Sequence, residues 1–416
     1  MAAAEAALAP LRGAGLEQLG LVEMREGLAH PRCVIRPAEG FLVASDLPTA
    51  QADCVLGVVP ASETLARLTV RRPGGRALDL GTGCGVQGLL LARHGETVIS
   101  IDINPRALAF AQFNAALNEL PNVECREGSW FAPVTGERFD TIACNPPYVI
   151  SPDSTFTYRD GGLGRDAVSR MVIREAAGHL AEGGFATVLC NWAHDDSWAE
   201  PLRAWVAGTG CDALLLHYAT VDPAEYAARW NLELRAREPR TYETTVRRWA
   251  DYYTAEGIAR IGLGAVILRR REGATHWVRP LDMAQGPSCP SSDHILRLFD
   301  AGDFLESDAG RNLWAHAYRF VDGHRVDQSL SYPAGAYVVG PAVFRCLPGI
   351  GVEAHVDARA LDVILDCDRH QPLGNLVTEA AKRRGETESD VKRLVEAPVR
   401  SLVEQGFLVP VIHDHP

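Results

Sequence analysis

The sequence predicts an α/β protein built on a doubly wound, mostly parallel sheet. Three observations carry this. From Arg76 onward, strand-length apolar runs alternate with helix-length amphipathic segments; a glycine-rich turn, GTGCG, joins the first of these strands to the first helix; and an acidic residue, Asp102, closes the second strand. Alternation of this kind requires crossover helices that cover both faces of a parallel sheet.

The elements follow in order. RALDL is a short apolar strand, and VQGLLLARHG follows the glycine turn as a helix. TVISIDI is the second strand and NPRALAFAQFNAALNEL a helix with apolar residues at helical spacing. NVECREG continues the alternation, and FDTIACNPPY is a strong fourth strand. GRDAVSRMVIREAAGHL reads as a helix, GGFATVLCNW as a strand, DSWAEPLRAWVAG as a helix and CDALLLHYAT as a strand. Residues 221–256 break the rhythm with an aromatic-rich helical insertion. GIARIGLGAVILRRR then supplies a seventh strand, expected antiparallel to the one before the insertion.

Three regions result: an N-terminal helix and β-hairpin extension over 1–54, with two short strands; the doubly wound domain over 55–272; and an accessory α+β region over 273–416, winged-helix-like at 351–413. The winged-helix expectation rests on NLVTEAAKRRG, ESDVKRLVEAPVRSLVEQG and FLVP, two helices followed by a strand. At 416 residues the chain exceeds the usual single domain.

With 47% hydrophobic and 23% charged residues, the composition is that of a globular protein with a large core. Lys plus Arg number 41 against 53 Asp plus Glu, a net charge of −12 that argues against sequence-blind nucleic-acid binding. The ten cysteines include no C-x-x-C pair, so neither a disulfide frame nor a metal site is expected. The start, MAAAEAALAPLRGAG, lacks the pattern of a signal peptide, and no apolar run is long enough to span a membrane. A cytoplasmic location is expected.

In LDLGTGCG, Gly81, Gly83 and Gly85 sit at a strand end before a helix, where a ligand can approach the backbone closely. Asp102 lies about 20 residues on, the usual place for a carboxylate that binds ribose hydroxyls. That spacing also suits NAD. Asp79, however, precedes the glycines, where it would repel a pyrophosphate, so a cationic amino-acid ligand fits better. The expected cofactor is S-adenosylmethionine. The stretch RALDLGTGCGVQGLLLARHGETVISIDINPRALAFAQFNAALN resembles the donor half of class I S-adenosylmethionine-dependent methyltransferases, which have a seven-stranded Rossmann-like sheet. The resemblance implies that Asp79, Gly81, Thr82, Gly83 and Gly85 line the methionine moiety. It also implies that Asp102 and Ile103 hold the ribose and that Ser129 and Trp130 meet the adenine edge, with Asn145 closing the donor site.

Asn145-Pro146-Pro147-Tyr148, at the end of the fourth strand, is the signature of the amino-methyltransferase branch, which includes enzymes acting on nucleobase amines and on a glutamine amide of peptide release factors. A nitrogen on an sp² carbon has a delocalised lone pair. Acceptors that grip its hydrogens, the Asn145 side-chain oxygen and the Pro146 carbonyl, aim that lone pair and stabilise the positive charge that grows in the transition state. Tyr148 is expected to stack on the planar target. TYRDGGLGRDAVSRMV resembles the stretch after the motif in release-factor glutamine methyltransferases. Pro147, Tyr158, Arg159, Asp160 and Asn191 are the acceptor-side candidates.

The expected function is methyl transfer from S-adenosylmethionine to a planar nitrogen of a protein amide or nucleobase. The alternatives are a tailoring N- or O-methyltransferase of a small molecule or peptide, and a catalytically silent, cofactor-binding DNA regulator. His194, Asp195 and Asp196 read as a solvated helix start rather than a metal site. Trp230, Trp249, Tyr252 and Tyr253 suit a lid, a homodimer surface or, better, core packing. AAKRRG and VKRL read as a polar helix face.

Overall fold

The six strands of the main sheet that lie in the first unit take the order 3-2-1-4-5-6, as seen in a computed structural model that describes residues 12–26, 28–47, 51–155, 159–283, 289–333, 335–346 and 349–411. These strands are β1 (Arg76–Leu80), β2 (Thr97–Asp102), β3 (Val123–Glu127), β4 (Phe139–Cys144), β5 (Leu180–His194) and β6 (Arg260–Arg270). β1 to β5 are parallel and β6 is antiparallel to β5, its in-unit neighbour, with Val188 opposite Val266. Val98, Ile99, Ile101, Ile142, Val188 and Val266 are all buried, as strands covered on both faces require.

Between the strands run α1 (Val86–Ala92), α2 (Pro105–Leu117), α3 (Ala167–Gly178) and α4 (Ala199–Val206). α2 starts where sequence chemistry says it should. The Asn104 side chain accepts from the Arg106 amide, and Pro105 occupies the first turn, where its missing N–H costs nothing.

Strand order reverses beside β1, and this sets the ligand position. In an open α/β sheet the crevice forms outside the carboxyl ends of the strands at such a switch point. Register is decisive here: Leu80 pairs with Cys144 on one side and with Ile101 on the other. The next residues, Gly81, Asn145 and Asp102, therefore emerge side by side at one sheet edge.

The N-terminal extension holds helix Arg12–Gln18 and two hairpins, Val22–Arg25 with Leu28–Pro31 and Val34–Ala38 with Phe41–Ser45, so four strands form where two were expected. The second hairpin is pinned to the sheet's helix layer. Buried Asn114 on α2 accepts from the Ala44 amide at 2.7 Å and donates to the carbonyls of Ala44 and Cys84 at 2.9 and 2.8 Å. Phe41, Val43 and Val55 join Leu89, Leu90 and Ala107 in one apolar cluster.

Three helices fill the insertion: α5 (Pro223–Trp230), α6 (Leu232–Arg237) and α7 (Pro239–Ala255). The first unit comprises Met1–Ala66, Arg71–Gly210 and Ala219–Glu272, and the second Arg67–Val70, Cys211–Tyr218 and Gly273–Pro416. The expected strand CDALLLHYAT forms as Cys211–Val221, and its Cys211–Tyr218 portion belongs to the second unit, where it pairs in parallel with Val278–Asp282.

The second unit also holds a three-stranded antiparallel sheet, His324–Ser331, Val338–Cys346 and Glu353–Val356, followed by helices Ala358–Leu365, Leu373–Arg384 and Glu388–Glu404. Its last strand, Leu408–Pro410, pairs with Tyr318–Phe320. The basic tail residues are internally matched, Arg383 and Arg384 to Asp362 and Arg393 to Asp390, as a polar helix face would have them. No helix among the described residues is long and apolar enough to cross a membrane.

Candidate active site

A cleft of about 450 Å³ opens at the carboxyl edge of β1, β2 and β4, within the roughly 300–1,000 Å³ usual for small-molecule sites. Gly81 and Gly83 line it in left-handed conformations, φ 75° and 54°, and a Cβ added at either would meet no atom within 4 Å, so bare backbone faces the open space. Thr82 lines it too, but its hydroxyl donates to Asp79 Oδ2 at 2.5 Å. Gly85 is not a wall residue. Its place is forced by α2, since a Cβ there would come within 2.9 Å of Ala111 Cα.

Asp79 is buried, and its Oδ2 also accepts from the Gly88 amide in the first turn of α1 at 2.8 Å. Burial pushes its pKa up to about 6, against the lowering by Thr82 and Gly88 and with a smaller upward push from Asp102. Asp102 accepts from the Gly83 amide at 2.9 Å through Oδ2 and from the Asn104 amide at 2.9 Å through Oδ1. Each oxygen keeps a lone pair for a hydroxyl donor. Burial raises its pKa as well. Ile103, Ser129 and Trp130 all line the cleft; Trp130 is a wall residue at φ 52°, not a core aromatic.

The cleft's charge settles which ligand it suits. Asp79, Asp102 and Asp160 line it, and no Lys, Arg or His does so among the described residues. Such a wall repels a pyrophosphate and attracts a sulfonium and an α-ammonium. The residues present therefore fit S-adenosylmethionine: Gly81 and Gly83 offer bare backbone and Asp102 offers acceptor lone pairs at the cleft wall. When bound, that group supplies an electrophilic methyl on a cationic sulfur.

Asn145 also lines the cleft, and its Oδ1 is buried with no hydrogen-bond partner among the described residues. A buried acceptor without a partner costs roughly 1–3 kcal/mol, a cost that a donor hydrogen in the cleft would remove. Asn145 and Pro147, on either side of buried Pro146, both line the cleft. Gly161 approaches the Pro147 carbonyl so closely that a Cβ would lie within 2.9 Å of it, which explains a glycine two residues past Arg159.

The remaining acceptor-side candidates separate. Asp160 is a wall residue with a fully covered side chain, held by Arg159 at 2.8 Å, by the Ser151 hydroxyl at 3.1 Å and by the Thr155 amide at 3.1 Å. Arg159 is not a wall residue; it turns onto Asp160 and lies over the Trp249 ring, 5.5 Å from its centroid. Tyr158 falls outside the described residues. Tyr148 does not line the cleft. It packs against the cluster of Ile150, Tyr226, Trp249 and Tyr253, and burial pushes its pKa up to about 12. Asn191 is buried away from the cleft and donates to the Tyr226 hydroxyl oxygen at 2.7 Å, so it is bound to the insertion rather than open to a substrate.

His194 is also taken up internally, by the Thr220 hydroxyl and the Asp195 carbonyl. Sequence reasoning missed the roof of the cleft, Val55, Leu56, Gly57 and Ser62, which has no periodic signal beyond the apolar run CVLGVVP.

Known proteins agree with this geometry. Residues 57–196 match the family model described as methyltransferase small domain. A release factor glutamine methyltransferase from Xylella fastidiosa is 37% identical over 201 residues, 44% of this chain and 71% of the relative. Its counterparts from Yersinia pestis and Salmonella typhimurium are 33% and 37% identical, over 38% and 36% of this chain and 59% and 56% of theirs. With more than two thirds of the Xylella fastidiosa relative spanned at 37% identity, the chain belongs to the S-adenosylmethionine-dependent methyltransferases.

Proposed function

We propose that this enzyme transfers its methyl group to a planar amide nitrogen, the side-chain carboxamide of a glutamine in a protein acceptor such as a peptide release factor. The observation that carries the reading is the empty, buried Oδ1 of Asn145 at the wall of the donor cleft. In this reading Asn145 Oδ1 and the Pro146 carbonyl each take one hydrogen of the amide. The lone pair would then point at the donor methyl. As the N–C bond formed, the sulfur–methyl bond would break with its electron pair left on a neutral thioether. The charge developing on nitrogen would be met by two oxygens that need not reorganise, and one N–H proton would pass to solvent. The proposed donor contacts are those of Asp79, Gly81, Thr82, Gly83, Asp102, Ile103, Ser129 and Trp130.

A protein amide is favoured over a nucleobase by charge. The net charge is −12, and among the described residues three aspartates and no Lys, Arg or His wall the cleft, which is poor ground for a phosphate backbone. The relatives' names point the same way. The catalytic domain of this reading is residues 55–272 with its insertion at 221–256; residues 1–54 extend it and 273–416 are accessory.

The test uses the purified full chain, methyl-labelled S-adenosylmethionine and purified release factors, beside the same factors with the acceptor glutamine replaced by alanine. Label on a glutamine amide, absent from the alanine control, is the expected result. Label entering only RNA, DNA or a metabolite pool would overturn the reading.

A further inference from the structure

Two tyrosine hydroxyls from the insertion hold the backbone of one residue, Ile150, which lies two positions beyond the Asn-Pro-Pro-Tyr run. The Ile150 amide donates to the Tyr226 oxygen on α5 at 3.3 Å, and the Tyr253 hydroxyl on α7 donates to the Ile150 carbonyl at 2.9 Å. Tyr226 is tied to the sheet as well, because its oxygen accepts from Asn191 of β5. Ile150, Tyr226 and Tyr253 are all buried, so these groups have little access to water as a substitute partner.

α7 also holds the loop further along. Trp249 Nε1 donates to Asp153 Oδ2 at 2.9 Å, and Arg248 pairs with the other oxygen of that carboxylate. Arg159 lies 3.6 Å from Asp153, carries its guanidinium over the Trp249 ring and fixes Asp160, which is a cleft wall. The loop closes on itself through a bridge between Tyr148 and Asp160. Further along, the Arg165 amide donates to the Tyr252 hydroxyl at 2.9 Å. Both strands of the loop that leaves the Asn145 clamp and returns to the cleft are thus fastened to one aromatic block.

We propose that α5 and α7 form a fixed brace for the acceptor side of the site, with Tyr226 and Tyr253 as positioning residues that hold Ile150, and through it Asn145 to Tyr148, at the reach the acceptor nitrogen requires. This rests on the acceptor-clamp reading above and deepens it. A movable lid would show a polar, weakly packed underside, whereas here Trp249, Tyr226 and Tyr253 are fully buried core residues in edge-to-face contact. None of Tyr226, Trp249 and Tyr253 lines the cleft, and the donor cradle of Gly81, Gly83 and Asp102 hangs on β1 and β2 instead. The two halves of the site are therefore separable by mutation.

The experiment compares the wild-type full chain with Tyr226→Phe, Tyr253→Phe and the double variant. Each change deletes one oxygen and keeps the ring, so the packing is preserved. Three readouts are taken: S-adenosylmethionine affinity by calorimetry, kcat with a purified release factor, and hydrogen exchange at residues 148–161. Affinity for the donor is expected to stay within about twofold, kcat to fall on the order of 10- to 100-fold as the clamp drifts, and exchange to rise at Ile150 and its neighbours only. Unchanged exchange at 148–161 in folded variants overturns the brace, as does a kcat that stays at the wild-type level. Loss of donor affinity in step with kcat also overturns it, because the tyrosines would then support the whole domain. If the double variant fails to fold, the single variants decide by the same readouts. The exchange measurement needs no acceptor, so a wild-type enzyme inert toward every release factor would sink the proposed acceptor while the brace was still judged on its own evidence.

Discussion

Asn145 Oδ1 is a buried amide oxygen that accepts no hydrogen bond from the described residues, and it lines the cleft, so it is placed to accept one from a ligand there. Asn145→Ala is expected to lower kcat by about 100- to 1,000-fold, the loss usual for one preorganised transition-state partner, with a much smaller loss of donor affinity in calorimetry, since Asn145 also lines the donor cleft. A variant retaining more than a tenth of wild-type kcat would remove Asn145 from the chemistry. Asp79 makes a different prediction, through protons. Its ordinary value is 3.8, and burial pushes it to about 6 in the native state. Between those values the native protein holds a proton that the unfolded chain has released, so stability contributed at this site is greatest at the acid end and falls as pH rises through that window. A bound cation reverses the preference by favouring the carboxylate. Donor affinity is therefore expected to rise from pH 5 to 7, with proton release on binding near pH 6 seen as a buffer-dependent heat. Asp79→Asn should flatten both, and a Kd independent of pH in the parent protein would show that the carboxylate does not meet the donor's charge.

At the scale of elements, what the sequence made legible follows from what is local. Glycine at a strand end, a carboxylate at the next strand end and prolines that stop a fourth strand each state their backbone conformation without reference to distant residues, and all three emerge at the expected sheet edge. Tyr148 and Asn191 stand off the cleft because their surroundings come from α5 and α7, through hydrogen bonds that span 35 to 103 residues, and no local pattern encodes such contacts. The cleft roof was missed for the same reason. Gly161 lies between these cases: the D-G-G run marks a turn, yet the reason for glycine is the carbonyl of Pro147, brought against it by the folded loop. Gly161→Ala sets a Cβ 2.9 Å from that oxygen and 2.3 Å from Val168 Cγ2, so the loop or α3 has to shift. The expected result is a kcat loss of at least tenfold with the glycine-loop donor site intact, accompanied by a lower Tm of a few degrees, as overpacking of about 1–3 kcal/mol implies. A variant with unaltered kcat and Tm would mean that the contact has slack.

Across the whole molecule, charge decides what kind of acceptor can be served. The chain carries 53 acidic against 41 basic residues, the cleft wall carries three aspartates, and the arginines beside the acceptor loop, Arg159 and Arg248, are spent on Asp160 and Asp153. An enzyme that gripped several phosphates would shed their counterions, and its affinity would fall steeply with salt, by roughly a thousandfold or more between 50 and 200 mM for six to ten contacts. A protein amide held by a carbonyl pair has no such dependence; the general field of a net −12 chain changes only the encounter rate with a charged partner. Turnover on a purified release factor, followed as kcat/KM from 50 to 200 mM sodium chloride, is therefore expected to change by less than about tenfold, and single-stranded RNA added in excess should leave it unaffected. A steep inverse dependence together with RNA competition would show a basic path to Asn145 and would move the acceptor from protein to nucleic acid, with the donor cleft unchanged.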